Sequence, residues 1–235
     1  MPVFNEATGI TDVLDDIVRY VFDLVPDAEL VVVDDRSTDE TASIVSAFAT
    51  VDPRVRVLTN DVNVGHGPSV RRGIDATAGE WILHIDSDGQ IELAEFGSLW
   101  SRRCDSDLVL GVRSRRHDPL HRLVLTRITR VLVSALAGTW VPDANTPFKL
   151  VRRSLFDHLA PAIPATSFAP SILLVLGARR VEATTTEVNI THLPRRYGTS
   201  TLRLGRLASA VARSTLQTVA FRRRRLDPFV RESVR

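Results

Sequence analysis

The stretch EWILHIDSDGQ, residues 80–90, places an apolar run directly before two aspartates and a glycine. This pattern predicts a buried β-strand that leaves the sheet at Asp86 and Asp88. Two carboxylates one residue apart can converge on a positively charged ligand in the crevice above the strand, and a divalent cation is such a ligand. The alternative is an Asx-type turn, in which these side chains accept hydrogen bonds from backbone amides.

The flanking sequence alternates between apolar strands and amphipathic helices. Runs rich in β-branched residues predict strands at 29–35, 80–88 and 107–113. Helical spacing of apolar residues predicts helices at 10–25 and 38–51. The second helix has Thr38 or Asp39 as its candidate N-cap. The alternation predicts an α/β fold with a largely parallel sheet and helices on both faces.

Two of the predicted strands end in pairs of carboxylates. Asp34 and Asp35 end one strand, as Asp86 and Asp88 end another. Ligands of such sheets bind outside the carboxyl ends of the strands, so the four side chains are expected at one rim. Their mutual repulsion is relieved most simply by a metal ion and by hydrogen-bond donors of a ligand.

Length and composition indicate one sizeable domain with or without a tail. The chain has 235 residues, of which 44% are hydrophobic and 25% charged. Its single cysteine, Cys104, excludes an intramolecular disulfide, fits a reducing compartment and is assigned no role. No apolar run approaches the roughly 20 residues that span a bilayer, and no signal peptide is visible. A cytoplasmic location is therefore predicted.

Charge is distributed unevenly along the chain. Residues 1–100 carry 19 acidic and 6 basic side chains, whereas residues 195–235 carry 11 arginines and two acidic residues. Zinc-ligand spacing, an aromatic-rich strand pair and a helix-turn-helix pattern are missing, which argues against nucleic acid as a partner. Residues 202–235 are predicted to form a basic amphipathic helix and tail that lies on an anionic membrane surface. The alternative is that its apolar stripe packs on the catalytic domain or on a second subunit of a homo-oligomer.

Five motifs resemble those of family 2 glycosyltransferases with the GT-A fold, in the same order and at approximately the same spacing. They are MPVFNE (1–6), VVVDDRSTDET (33–41), NVGHGPSVRRGIDATAGEWILHIDSDGQ (63–90), DANTPFKLVRRSLF (143–156) and RRYGTST (195–201). Within that family the chain is most similar to the dolichol- or polyprenyl-phosphate sugar synthases. Residues 1–201 are therefore expected to form a GT-A catalytic domain.

The resemblance implies a donor site for a nucleotide-diphosphate sugar, either a GDP- or a UDP-sugar. The residues that it assigns to this site are Pro2, Phe4, Asn5, Glu6, Asp34, Asp35, Asn63, Gly65, Asp86 and Ser87. Carboxylates suit this role because they accept hydrogen bonds from base N–H and ribose O–H groups. The alternative for Asp34 and Asp35 is that they cap the following helix. Arg36 occupies a position that is usually glycine in the family.

The resemblance also implies a metal ion and an inverting reaction. Asp86, Asp88 and Gln90 would hold Mg²⁺ or Mn²⁺, which bridges the two phosphates of the donor. The ion would stabilise the negative charge that develops on the leaving nucleotide diphosphate.

Two kinds of acceptor remain open. A polyprenyl phosphate is already an anionic nucleophile and needs positive charge to hold it, which the resemblance assigns to Arg113, Arg122 and Arg195, with Ser200 in the same motif as Arg195. A hydroxyl of a glycan or small metabolite needs a general base, and Asp143 is the candidate. A third possibility, of another class, is an inactive scaffold that binds nucleotide sugars.

Two expectations concern location and the chain start. Action on a polyprenyl phosphate implies a peripheral protein at the inner face of the cell membrane. The first strand of the family precedes the turn that here begins at Met1, so the native start is expected to lie upstream.

Overall fold

The computed structural model describes residues 1–115, 127, 130–131, 133–136, 138, 140–194 and 204–231. Its strands are β1 (Pro2–Val3), β2 (Leu30–Asp34), β3 (Val55–Thr59), β4 (Trp81–His84), β5 (Leu108–Arg115), β6 (Lys149–Arg152) and β7 (Thr185–Thr191). Its helices are α1 (Ile10–Ile17), α2 (Thr41–Val51), α3 (His66–Asp75), α4 (Phe96–Trp100), α5 (Arg153–Leu159), α6 (Pro170–Arg180) and α7 (Leu204–Arg222). A π-helical segment, Val18–Phe22, continues α1. The three predicted strands and both predicted helices are confirmed.

The strands form two sheets. The first has the order β1-β2-β3 and is parallel throughout. The second has the order β4-β6-β5-β7, in which β6 runs antiparallel to β4 and β5, and β7 runs parallel to β5. The predicted α/β class with a mainly parallel, mixed sheet is confirmed. Asp34, Asp35, Asp86 and Asp88 were expected at the rim of a single sheet. That expectation is corrected, because β2 and β4 belong to different sheets.

A cavity of about 950 Å³ lies between the two sheets. Its walls are mainly apolar, and they include Met1 and Val31 from one sheet and Trp81 and Leu83 from the other. The polar groups that could bind a nucleotide or a metal ion lie instead beyond the carboxyl ends of the strands. We therefore place the candidate site there.

The core consists of two apolar clusters, and the first of them takes side chains from both sheets. One cluster joins α1 to β2 through side chains such as Leu14 and Val32, which are fully buried. The other surrounds α6, whose residues from Pro170 to Ala178 are all buried. A helix that is buried on every side lacks the polar face from which the orientation of an amphipathic helix can be predicted. Its orientation is set by the elements that pack around it.

The start of α2 differs from the prediction. The helix begins at Thr41, and Glu40 rather than Thr38 or Asp39 occupies the N-cap position. Asp39 nevertheless accepts a hydrogen bond at Oδ1 from the Thr41 backbone N–H, at 3.0 Å. Its side chain therefore satisfies a free amide of the first turn from one position further out.

The C-terminal helix α7 packs against α6. Phe221 is buried against α6, and Arg180 donates hydrogen bonds to the backbone oxygens of Phe221 and Arg224. Gln217 Oε1 accepts a hydrogen bond from the Phe168 backbone N–H at 3.0 Å. In its described part the helix thus packs on the preceding part of the chain, which is one of the two alternatives given for its apolar stripe. The predicted boundary at 201/202 lies outside the described residues.

A search of the described residues finds no helix that has both the length and the apolar character needed to cross a bilayer. The arginines that follow the buried Phe221, Arg222 to Arg225, are exposed.

Arg36 adopts a conformation that favours glycine. Its φ is +65°, and its side chain is exposed. Holding a residue that has a Cβ in this left-handed conformation costs about 1–2 kcal/mol of folding free energy. Glycine adopts the conformation without that steric penalty but loses more backbone entropy on folding, so replacing Arg36 by glycine recovers part of the cost. We expect Arg36→Gly to raise the free energy of unfolding by about 0.5–1 kcal/mol in urea denaturation. Arg36→Ala is the matched control and should give no such gain, since alanine keeps the Cβ; equal gains in both variants would contradict the explanation.

Candidate functional site

The first part of the site is built around the carboxylates at the end of β2. Asp35 is 4% exposed and accepts three hydrogen bonds of 2.8 Å, from Asn60 Nδ2 and from the backbone N–H groups of Val64 and Gly65. Asp34 is 1% exposed and accepts a 3.1 Å hydrogen bond from the Ser37 backbone N–H. The structure therefore gives both side chains a role in shaping the surrounding loops.

The turn after β1 is tied to the loop before α2. Asn5 Oδ1 accepts a hydrogen bond from the Thr38 backbone N–H at 2.8 Å. The Glu6 backbone N–H donates to Thr41 Oγ1 at 2.9 Å, and that of Ala7 donates to Asp39 Oδ2 at 3.2 Å. These bonds hold two loops together that adjoin Pro2, Phe4 and Asp34, so the predicted nucleotide residues 2–6 and 34–35 form one neighbourhood.

A glycine-rich loop connects the first part of the site to the second. Asn63 Nδ2 donates to the Asp35 backbone oxygen at 3.0 Å, and Gly65 has a φ of +92°. Gly67, in the first turn of α3, lies so close to the 167–168 backbone that a Cβ would stand 2.7 Å from the Phe168 oxygen. The two glycines thus serve a left-handed turn and a close backbone approach.

The second part of the site is centred on Asp86, just beyond β4. Its Oδ1 lies 2.9 Å from His66 Nε2 and 3.7 Å from His84 Nε2. Partial burial disfavours the charged carboxyl, but the two imidazoles outweigh it and hold the pKa of Asp86 well below its usual value. His66 is half exposed; the carboxylate of Asp86 outweighs the desolvation of the ring and raises the pKa of His66.

The residues after Asp86 form a tight turn. Asp88 Oδ1 accepts a hydrogen bond from the Gln90 backbone N–H at 3.2 Å, and Gly89 has a φ of +62°. Gln90 Nε2 donates to the Leu193 backbone oxygen at 3.3 Å, while Ser87 is buried. The Asx-type turn that the sequence left open is therefore present at Asp88, and it orients the carboxylate at the rim.

Lys149, the only lysine of the chain, lies beneath the rim. It pairs with His84 in the antiparallel register of β4 and β6, and it is fully buried. Burial lowers its pKa to about 7, although Asp143 and Asp86 oppose the shift. Its Nζ has no hydrogen-bond partner among the described residues. The ammonium therefore acts on both carboxylates through charge rather than through a direct bond.

Of the residues predicted to act on the acceptor, the structure describes Arg113 and Asp143. Arg113 and Asp143 form a paired ion contact, with Nε 2.7 Å from Oδ2 and the terminal nitrogen Nη2 2.8 Å from Oδ1. The side chains are 13% and 4% exposed. The structure thus brings together the arginine predicted to hold a phosphate and the aspartate predicted as a base. Arg122, Arg195 and Ser200 lie outside the described residues.

Sequence reasoning missed the basic side chains around Asp86. His66 and His84 lie within quoted motifs, and a histidine inside the apolar run WILHI is the signal that could have identified the second of them. A divalent cation fits this rim, because His84 Nε2 is buried beside a carboxylate and makes no hydrogen bond among the described residues. Asp86 and Asp88, with Gln90, remain the predicted metal residues.

Comparisons with known proteins identify relatives of this chain. The sequence model described as glycosyl transferase family 2 matches residues 1–160. A dolichyl-phosphate beta-glucosyltransferase of Trichomonas vaginalis is 28% identical over 201 residues, which cover 77% of this chain and 60% of that protein. An undecaprenyl-phosphate 4-deoxy-4-formamido-L-arabinose transferase of Proteus mirabilis is 26% identical over 202 residues, covering 85% and 60%. The chain thus spans about 60% of the length of these curated relatives.

Solved structures share the fold. Glucosyl-3-phosphoglycerate synthase of Mycobacterium tuberculosis, in complex with phosphoglyceric acid, superposes with a TM-score of 0.71 at 21% identity, over 94% of this chain and 77% of that one. The same enzyme with Mn²⁺, uridine diphosphate and glucosyl-3-phosphoglycerate gives a TM-score of 0.69 at 20% identity, over the same shares of both chains. These likenesses establish the GT-A fold, and the match over residues 1–160 shows that the chain belongs to glycosyl transferase family 2.

Proposed function

We propose that the chain is a metal-dependent, inverting glycosyltransferase that moves a sugar from a nucleotide-diphosphate sugar to a polyprenyl phosphate. Family membership supports the transfer of a sugar. The names of the curated relatives, dolichyl-phosphate and undecaprenyl-phosphate transferases, support a lipid phosphate as acceptor. The observation that carries the choice of acceptor is the buried pair of Arg113 and Asp143.

The pair matters because the two acceptor classes need different chemistry. A hydroxyl must lose its proton to a general base, and Asp143 is the candidate among the described residues. Both oxygens of Asp143 accept hydrogen bonds from Arg113, and a carboxylate held in this way is a poor proton acceptor. A phosphate needs no base. The same contact orients the guanidinium, which suits Arg113 to hold a phosphate.

On the donor side, the proposal assigns the neighbourhood of residues 2–6 and 34–35 to the base and ribose. Asn63, Gly65 and Ser87 would line the path to the diphosphate. Asp86 and Asp88, with Gln90, would hold Mg²⁺ or Mn²⁺, and a divalent ion bound there supplies positive charge to the leaving nucleotide diphosphate. His66, which lies beside Asp86, adds a cation at the same rim.

On the acceptor side, Arg122, Arg195 and Ser200 would complete the phosphate site with Arg113. The exposed arginines 222–225 would contact anionic headgroups and keep the protein at the inner face of the membrane. Because α7 packs on α6, this contact is proposed for the arginine cluster rather than for the apolar face of the helix. Association of two copies stays a prediction.

The acceptor is tested by substitutions at both partners of the pair. We expect Arg113→Gln to raise the KM for polyprenyl phosphate about tenfold, and Arg195→Ala to lower efficiency about a hundredfold, since each removes a charge-assisted contact. Nucleotide binding, titrated separately, should not change. Asp143→Asn should reproduce the Arg113→Gln effect, because it releases the guanidinium.

Each single substitution leaves the other member of the pair as a buried charge without its partner. The double variant Arg113→Gln with Asp143→Asn removes both charges and is the control for that effect. Under our proposal it should retain turnover with the lipid at about the level of Arg113→Gln alone, because the two residues act as one unit. If a hydroxyl acceptor is used instead, any variant without Asp143 should lose turnover with free sugars. Wild-type activity with hydroxyl acceptors alone would contradict the proposal, and donor binding without any transfer would indicate the inactive scaffold.

A further inference from the structure

The strongest feature without an assigned role is the buried ammonium of Lys149. The side chain is fully buried at the start of β6, and its Nζ has no hydrogen-bond partner among the described residues. Lysine is almost never fully buried without a partner, because an ammonium loses its hydration there. A group that costs free energy to bury and makes no bond in return calls for an explanation other than packing.

The strand register places Lys149 between two neighbours on one face of the sheet. It lies opposite His84 of β4 and opposite Leu110 of β5. Directly opposed residues of antiparallel strands point to the same face, so the three side chains are neighbours. β4 ends at His84, just before Asp86, and β5 continues from Leu110 to Arg113. Lys149 therefore lies beneath the part of the rim where the donor-side and acceptor-side strands meet.

The charge of Lys149 acts on both halves of the proposed site. Asp143 belongs to the acceptor-side pair with Arg113, and Asp86 belongs to the donor-side rim. Both carboxylates favour the ammonium form and oppose the effect of burial on the pKa of Lys149, whereas the Arg113 guanidinium adds to the lowering. Because Nζ bonds neither carboxylate, these interactions act through space.

Both substrates of the proposed reaction carry phosphate groups. A cation that is fixed below the donor diphosphate and the acceptor phosphate attracts both, and it needs no rearrangement because packing already holds it in place. We propose that Lys149 is a positioning residue shared by the two sites, whose buried ammonium attracts the diphosphate of the donor and the phosphate of the acceptor without touching either. This inference deepens the proposed function, on which it rests, by naming a group that serves both substrates.

The test compares charged ligands with uncharged ligands that share the rest of their structure. Calorimetry on the purified full-length chain measures the binding of UDP or GDP against the matching nucleoside, and of farnesyl phosphate against farnesol. Every titration contains the same saturating concentration of Mn²⁺, and no transfer reaction takes place. We expect Lys149→Met to lower the affinity for the nucleoside diphosphate and for farnesyl phosphate by about tenfold each, because one attractive charge is lost. The affinities for nucleoside and farnesol should not change.

Leu110→Met is the matched control, because Leu110 is the buried neighbour opposite Lys149 and the substitution nearly conserves volume. It should leave all four affinities as they are. Lys149→Met should keep the fold, since replacing an unpaired buried charge by an apolar side chain of similar length is neutral or stabilising. Thermal melting checks each variant, and Lys149→Gln, which also removes the charge, should show the same difference between charged and uncharged ligands.

Equal losses of affinity for charged and uncharged ligands would show a structural role and overturn the inference. Loss of the fold in both Lys149 variants, with Leu110→Met folded, would do the same. Unchanged affinity for either phosphate ligand in these variants would overturn the shared role and leave the proposed function standing. A wild-type chain that binds the nucleotide but not farnesyl phosphate would contradict the proposed acceptor, and with it a charge that serves two phosphate sites.

Discussion

Replacing Asp86 by alanine is expected to lower sugar transfer about a thousandfold, which is the scale for removing a preorganised charge at the reacting diphosphate. His66, His84 and the buried Lys149 all interact electrostatically with the Asp86 carboxylate. Replacing Asp86 therefore removes the negative charge around which these three basic side chains are arranged. The fold should persist, because a partly exposed ion pair such as that of Asp86 with His66 contributes at most about 1 kcal/mol. Asp88→Ala should act in the same direction.

The measurement is transfer from GDP- and UDP-sugars to polyprenyl phosphate, with thermal melting of each variant in parallel. Asp61→Ala is the matched control, since it removes an exposed carboxylate of the loop that follows β3. It should keep wild-type activity. Undiminished turnover of Asp86→Ala, or of the wild type in excess chelator, would contradict the role assigned to this rim.

Replacing Gly67 by alanine is expected to cost about 3 kcal/mol of stability, near the upper end for overpacking of a rigid interior, or roughly a hundredfold in the folding equilibrium. The added Cβ would overlap the Ser167 backbone oxygen and stand 2.7 Å from that of Phe168. Both are backbone atoms, so no flexible side chain can give way. The contact joins α3 to the segment before α6, and it therefore positions His66 as well.

Urea denaturation of Gly67→Ala checks this expectation, and Gly97→Ala is the matched control. Gly97 also lies in a helix, but its added Cβ would meet only Leu24 at 3.7 Å, an ordinary contact. That variant should be neutral or more stable by up to about 1 kcal/mol, because alanine is the better helix former. Similar losses in both variants would show that the backbone contact is not the cause.

Much of the fold could be predicted because its signals are local. The apolar runs gave β2, β4 and β5 to within about two residues at most ends, and the carboxylates lie at or just after the ends of β2 and β4. The glycines at 65 and 67 occupy positions where a side chain is strained or excluded. The predicted N-cap of α2 is wrong, because Glu40 occupies that position, although Asp39 still accepts a hydrogen bond from the Thr41 amide.

The division into two sheets could not be predicted in the same way. β6 enters between β4 and β5 in antiparallel register, although it lies far from β4 in sequence. Strand order depends on which long-range pairings bury the most apolar surface, and the pattern of a single strand does not encode its neighbours. The register then places Lys149 beside His84, where the sequence shows only a lysine in an apolar run.

The sequence by itself determined the α/β class and the carboxylates at the strand ends, because these follow from short-range periodicity, and its motifs carried the resemblance that identified the family. Only the tertiary structure decided which charges meet. It paired Arg113 with Asp143, 30 residues apart, and set His66 and His84 against Asp86. The physical reason is that charge interactions act over a few ångströms through space, and packing of distant segments sets those distances independently of separation along the chain.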